Sequence, residues 1–369
     1  MSFKETFDLL KWKETKESIY NKTSKDVEKA IYKTHKTPED FKALISPAAD
    51  AYVEEMAQLS HKITQKRFGK TIQLYTPLYL SNECDNYCNY CGFNSNNKIK
   101  RKTLTPGEII SETNEIKKQG FEHVLLVTGE SSQTVNIDYF IKAIEIIKPL
   151  FANISMEVQP LKQEEYEKLH HAGVFSVLIY QETYNKEKYA VYHPKGNKAD
   201  FYYRLETPDR IGKARMHKIG LGVLLGLEDW RTDSFFCAMH LQYLQKKYWQ
   251  TKCSVSFPRI RPALGASTPY ITVTDRNLVQ LICAYRLLNE DVELLISTRE
   301  FEKFRNNIIP IGITSMSAGS KTNPGGFAVE PDSLQQFEIS DTRNAQQIAK
   351  VITSHNYEPV WKDWDRTLL

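Results

Sequence analysis

The chain has 369 residues, 41% of them hydrophobic and 25% charged, with a formal net charge of +4. That length carries two average domains or one large α/β barrel with extensions, and the apolar share can bury a sizeable core. So small a positive excess argues against nucleic acid or an anionic membrane as partner, and no apolar run reaches the roughly 18 residues of a membrane span.

Residues 1–70 read as helix, with Lys, Glu and Asp interleaved among Phe3, Phe7, Leu10, Ile19, Ile31, Phe41 and Leu44 as solvated faces against apolar stripes. The opening MSFKETFDLLKWKETKESIY has no signal-peptide core. From about residue 71 the pattern becomes strand, polar turn and helix, repeated. Apolar, β-branched runs fall at 72–80, 124–129, 154–160 and 175–183, and again at 220–227, 253–260, 292–298 and 311–319. Helical stretches lie between them at 106–119, opened by Thr105 and Pro106, at 136–149, at 163–171, and at 275–289 with Asp275 as the expected N-cap. Eight strands alternating with helices imply an α/β fold, a (β/α)8 TIM-type barrel over 71–319; an open doubly wound sheet is the alternative. The remainder, 320–369, contains Gly and Pro and then reads as helical, a C-terminal extension expected to cap the barrel, with Trp361 and Trp364 as packing anchors.

In a parallel barrel the working residues stand at the C-terminal ends of the strands. That rule singles out the stretch LSNECDNYCNYCGF after the first strand, where Cys84, Cys88 and Cys91, three of six cysteines, fall within eight residues. It also selects Gly129 and Glu130, Glu157 and Gln159, Gln181 and Glu182, Arg259 and Arg261, Arg299, and Ser315 and Ser317. Cysteines so distributed do not form a secreted disulfide framework, and a reducing cytosol is the expected compartment. A structural zinc wants four protein ligands, and a disulfide pairs two thiols and leaves one over. Three thiolates suit an iron–sulfur cluster with one iron open to another ligand. The spacing favours the cluster; zinc and a disulfide staple remain the alternatives. Cys237, Cys253 and Cys283 sit in apolar surroundings and read as packing residues.

The spacing Cys-x3-Cys-x2-Cys, with the aromatic Tyr90 before the third cysteine, resembles that of the radical S-adenosylmethionine (SAM) enzymes. LLVTGE at 125–130, YQETY at 180–184, RLETPDR at 204–210, GLGVLLGL at 220–227, SFPRIRP at 256–262, ISTRE at 296–300 and SMSAGSKTNPGG at 315–326 extend the likeness over most of the chain. With PVWKDWD near the end, they resemble the 2-iminoacetate synthases, tyrosine lyases of bacterial thiamine biosynthesis. The resemblance implies a 4Fe-4S cluster on Cys84, Cys88 and Cys91 and SAM on its open iron. Tyr90 would border SAM, Gly129 and Glu130 would meet its amino group, and Arg204 its carboxylate. Glu157 and Gln181 are the candidates for its ribose or methionine end. For the carboxylate of an L-tyrosine substrate the choice is Arg299 with Ser317, with Arg259 and Arg261 in reserve. The implied partners are a thiazole synthase and an electron donor of the flavodoxin or ferredoxin type, which the basic run KIKRK at 98–102 could help to dock. The related tyrosine lyase that matures iron-only hydrogenase carries further cysteines in an extension, whereas Cys283 is the last here. Competing readings are a tryptophan lyase of the same group, and a non-enzymatic electron carrier or zinc-binding protein.

Overall fold

A computed structural model of the chain describes residues 2–266 and 271–362. Its centre is a closed barrel of eight parallel strands: β1 (Thr71–Ser81), β2 (His123–Thr128), β3 (Asn153–Glu157), β4 (Ser176–Leu178), β5 (Lys218–Gly222), β6 (Lys252–Ser256), β7 (Glu293–Ile296) and β8 (Ser315–Ser317). Each strand pairs with the next, and β1 closes the ring by pairing with β8 at Gln73–Tyr75 and with β2 from Thr76 onward. All eight expected runs contain strands; β3 to β8 are shorter than the apolar stretches that announce them, because the last residues of those runs turn into the loops of the mouth.

The period of two sorts the side chains. Tyr75 and Tyr79 of β1 pack inside the barrel with Leu125, Val127, Leu178 and Leu295, whereas Leu74, Leu78, Val124, Leu126 and Val177 face the helices. Helices at Pro106–Lys118, Ile137–Ile147 and Gln163–Ala172 follow the first three strands. Thr105 caps the first by accepting the Glu108 N–H, with Pro106 in the opening turn. The helix at Asp275–Leu288 starts one residue earlier than Asp275 suggests as a cap: Thr274 accepts the Asn277 N–H, and Asp275 stands in the first turn.

The N-terminal helices share the barrel's core instead of making their own. Phe3 stacks on His240 of the helix Trp230–Lys247, with ring centroids 3.9 Å apart. After β8 the chain crosses the mouth, where Glu112 accepts backbone N–H bonds from Phe327, Ala328 and Val329 at 2.9, 2.7 and 3.0 Å. It then descends through a helix, Ala345–Ser354, into a ninth strand, β9 (Glu358–Val360). The expectation of a helical ending is corrected there: β9 pairs in parallel with Thr71–Gln73. Gln73 pairs with both Ser315 and Val360, so β9 occupies the edge of β1 that β2 takes over at Thr76. Trp361 packs edge-on against Phe121 at 5.6 Å; Trp364 lies outside the described residues. Among the described residues no helix is long and apolar enough to cross a membrane.

Candidate functional site

A deep cavity opens at the C-terminal mouth of the barrel, and Cys84, Cys88 and Cys91 all line it. The loop that carries them is pinned by its own polar groups. Asn82 donates to the Lys100 carbonyl at 2.9 Å and accepts from the Lys102 N–H at 2.6 Å, while Arg101 donates to the carbonyls of Asn82, Phe93, Asn94 and Asn97. The basic run is therefore largely occupied: Lys100 and Lys102 both pair with Glu330 as well. Gly129 is required where β2 meets this loop, since a Cβ there would stand 2.2 Å from the Glu83 carbonyl oxygen. The segment crossing the mouth closes the far side, with Gln336 donating to Cys91 Sγ at 3.5 Å and accepting from Tyr79 Oη at 2.7 Å. All three thiols are free. Burial pushes the Cys84 thiol up to about 11 and Cys88 higher still, with only Lys198 acting to lower Cys88 through its charge.

Beside the thiols stands a buried four-charge set. Glu130 pairs with Arg204 at 2.9 Å and with Lys198 at 3.9 Å; Glu182 pairs with Lys198 at 2.7 Å and with Arg204 at 3.6 Å. Burial works to raise the Glu130 carboxyl, but Arg204 and Lys198 outweigh it and hold the group below the usual range. Arg204 is aimed by its Nε, which donates to the Tyr180 carbonyl at 2.6 Å. Tyr90 joins the same wall through a 2.7 Å bond to His193 Nε2, and burial drives that imidazole well below its ordinary pKa, so it is neutral.

Ten of the eleven residues given a role in the site line this one cavity. Gln181 does not, and neither do Gln159 and Ser315, which the strand-end rule also selected and which donate to the Val135 and Gln73 carbonyls. Leu178, Tyr180 and Glu182 share the inward phase of the fourth strand, while Gln181 falls in the outward phase with Ile179 and donates to the Phe201 carbonyl at 3.4 Å. Glu182 takes the inward place from a left-handed backbone (φ 68°), an uncommon conformation for a non-glycine residue that the Leu224 N–H to Glu182 carbonyl bond of 2.8 Å helps to hold. The strand-end rule selects Glu182 together with Gln181, and the alternation could have chosen between them. Lys198 had no such signal, because it arrives on an excursion between the fourth and fifth strands.

Across the mouth, Arg299 follows β7 and Ser317 ends β8, both lining the cavity. Arg299 lies 3.4 Å over the Phe337 ring and makes one long bond to the Arg259 carbonyl. Ser317 Oγ accepts the Thr298 N–H at 3.1 Å. Of the two reserves, Arg261 lines the cavity, but Arg259 turns outward to Glu300 and Asp275. Glu157 ends β3 on the inner face, surrounded by protein yet open to the cavity.

Comparison with known proteins matches this geometry. Residues 78–236 fit the family model of the radical SAM superfamily, and residues 256–358 that of the biotin and thiamin synthesis associated domain. The chain is 48% identical to a 2-iminoacetate synthase of Escherichia coli (strain K12) over 368 residues, covering 100% of this chain and 98% of that protein. Among solved structures, the FeFe-hydrogenase maturase HydG superposes with a TM-score of 0.89 at 32% identity over 95% of this chain and 79% of its own. Methylornithine synthase shares the fold, with a TM-score of 0.72 at 20% identity over 91% of this chain and 97% of its own.

Proposed function

Because the chain belongs to the 2-iminoacetate synthase family of the radical SAM superfamily, and is a radical SAM lyase, we propose that it cleaves the Cα–Cβ bond of L-tyrosine to 2-iminoacetate and p-cresol. The observation that carries this reading is identity at nearly half of all positions along the full length of both chains. The cavity supports it. Three thiols facing one cavity, Cys88 buried and Cys84 and Cys91 partly so, form a donor set suited to a positively charged inorganic body, and the room kept by Gly129 brings their loop against β2. Cys84, Cys88 and Cys91 would hold a 4Fe-4S cluster, with Glu130 and Arg204 taking the amino and carboxylate groups of SAM. When bound, these cofactors supply a 5′-deoxyadenosyl radical that removes a hydrogen atom from the substrate's amino nitrogen.

The protein's own part is to bind, orient and shield. Glu130 and Arg204 neutralise each other without ligand, so a zwitterion of opposite polarity can exchange into the pair with little net change of buried charge. Arg299, free of any carboxylate within ion-pair reach among the described residues, is the partner for the tyrosine carboxylate, and its Phe337 stack fixes the plane of the guanidinium. Ser317, which accepts from the Thr298 N–H and shares a side-chain hydrogen bond with Tyr75, would have to turn its hydroxyl from Tyr75 to donate to the same carboxylate. The segment 320–337, which lends Ser320, Thr322, Gln336 and Phe337 to the cavity wall, would help to shield the bound cofactors from water.

2-Iminoacetate hydrolyses readily, so direct transfer to a thiazole synthase and a place in thiamine thiazole formation follow from the product's chemistry; the biotin and thiamin synthesis associated domain favours the same role. The reducing electron would come from a flavodoxin or ferredoxin in a bacterial cytoplasm. Anaerobic turnover of the reconstituted, reduced protein tests the reading. Tyrosine and SAM should give p-cresol and 5′-deoxyadenosine in comparable amounts, with glyoxylate accumulating when no thiazole synthase is present. Indole-derived products from tryptophan, with no p-cresol from tyrosine, would move the assignment to a tryptophan lyase.

A further inference from the structure

Three carboxylates line the cavity, and two of them, Glu130 and Glu182, are paired with Arg204 and Lys198. The third, Glu157, has no cation within ion-pair distance among the described residues; it takes a side-chain hydrogen bond from Tyr180. Its position is set by topology. In the ring order β2-β3-β4-β5-β6-β7-β8-β1, β3 and β7 are four strands apart in either direction, so Glu157 and Arg299 stand on opposite walls of the mouth. Glu157 feels the negative charge of Glu182 and, against it, the positive charges of Arg299 and Lys198. It therefore lies between the four-charge set and the unpaired Arg299.

A free α-amino acid is a zwitterion. A site that bound its carboxylate on Arg299 and offered nothing to its ammonium would bury an unpaired charge. We propose that Glu157 receives the α-ammonium of the substrate and removes one proton from it, so that the nitrogen is a neutral amine when its hydrogen atom is abstracted. The N–H bond breaks heterolytically, the electron pair stays on nitrogen, and an O–H bond forms on the Glu157 carboxyl; nothing is oxidised or reduced. The transfer turns a buried ion pair into two neutral groups, which a desolvated site favours. The inference deepens the tyrosine reading and rests on it only for the identity of the substrate's side chain.

Burial, and then the negative Glu182, push the Glu157 carboxyl up to about 7, which makes it a stronger proton acceptor than an ordinary glutamate. The groups facing it are Tyr75 and Tyr79 from β1, Tyr180 and Glu182 from the fourth strand and its loop, Lys198, and Arg299. Both tyrosines of β1 are pushed well above their ordinary range by burial first, so they stay neutral across the interval in which Glu157 titrates. The carboxylate must be ionised to take an ammonium. Tyrosine affinity should therefore rise with pH to a plateau above 7 and fall about tenfold per unit below it.

Equilibrium dialysis of the cluster-loaded, SAM-bound, unreduced protein reads this without turnover. The ligands are tyrosine, 3-(4-hydroxyphenyl)propanoate, which lacks the amine, and phenylalanine, which lacks the hydroxyl. Wild type should prefer tyrosine over the amine-free acid by roughly ten- to a hundredfold, as expected for a hydrogen bond to a charged group. Glu157→Gln should bind the two alike and lose the pH dependence while keeping its SAM affinity, which also reports an intact fold. Glu157→Asp should restore part of the preference. A Glu157→Gln protein that still prefers tyrosine over the amine-free acid overturns the proposal. So does one that loses its preference for tyrosine over phenylalanine instead, which would place Glu157 at the phenol, or one that loses SAM, which would place it at the ribose or methionine end. If wild type acts on tryptophan, the tyrosine reading falls, and the same comparison with tryptophan and 3-indolepropanoate decides Glu157.

Discussion

Arg299 shows how much a cavity residue's value depends on what it does not touch. Among the described residues its guanidinium makes a single hydrogen bond, a 3.4 Å contact to the Arg259 carbonyl, and burial lowers its pKa. A lysine in its place would keep a charge on a compact ammonium but lose both the Phe337 stack and the two-pronged grip on a carboxylate. Arg299→Lys should weaken tyrosine binding by roughly one to two orders of magnitude, the equivalent of about 1.5–3 kcal/mol. It should also raise 5′-deoxyadenosine relative to p-cresol, because abstraction depends on near-contact geometry. SAM affinity should hardly change. Loss of SAM with tyrosine affinity intact would mean that Arg299 and Arg204 have each other's roles.

Among the elements, the stretch after β8 is tied to the barrel's first helix by one carboxylate. Glu112, buried on the helix Pro106–Lys118, accepts three consecutive backbone N–H groups of residues 327–329. A glutamine offers one acceptor and turns an NH2 group toward those donors, so Glu112→Gln should destabilise the segment by about 1.5–3 kcal/mol. Hydrogen exchange at 327–329 should accelerate while the barrel strands stay protected; unchanged exchange there would remove Glu112 as the anchor. None of this was legible in the sequence, where Glu112 is one more charge on an amphipathic helix. The barrel strands were legible because a strand buried on both faces is a continuous apolar run. The helix Trp230–Lys247 was not, because it is enclosed by the barrel and the N-terminal helices and buries residues on most of its faces, from Phe235 and Phe236 to His240 and Leu244. Strand β9 was equally hidden: Glu358–Val360 is three residues with a proline in the middle, and only its partner makes it a strand. In the site, the cysteine spacing and the strand-end rule pointed to residues that line one cavity. The error at Gln181 came from not following the two-residue alternation past the end of the fourth strand.

For the whole molecule, the six cysteines divide into two populations. Cys237, Cys253 and Cys283 are buried in the continuous apolar core, and burial pushes each thiol up to about 12. Cys84, Cys88 and Cys91 face the cavity. Replacing any of the latter by alanine should abolish the brown chromophore after anaerobic reconstitution, together with all SAM cleavage. Alanine at Cys237, Cys253 or Cys283 should leave the chromophore and lower the melting temperature, as expected when packed side chains are trimmed. Iron, sulfide and absorbance measured on both sets decide it; a Cys88→Ala protein with full activity would remove the cluster from the account.

The pairing of β1 also fixes an order of events during synthesis. Gln73 meets Ser315 on one edge and Val360 on the other, partners about 240 and 290 residues further along. At the usual pace of a ribosome those partners emerge roughly 10–60 s after β1. Throughout that interval one edge of β1 is open, the barrel is a curved sheet with a gap, and the segment that will cover the mouth has yet to be made. The cysteine loop that follows β1 is thus a nascent-chain feature first and a cavity wall last. Whatever loads it meets an accessible loop during translation and a covered one afterwards.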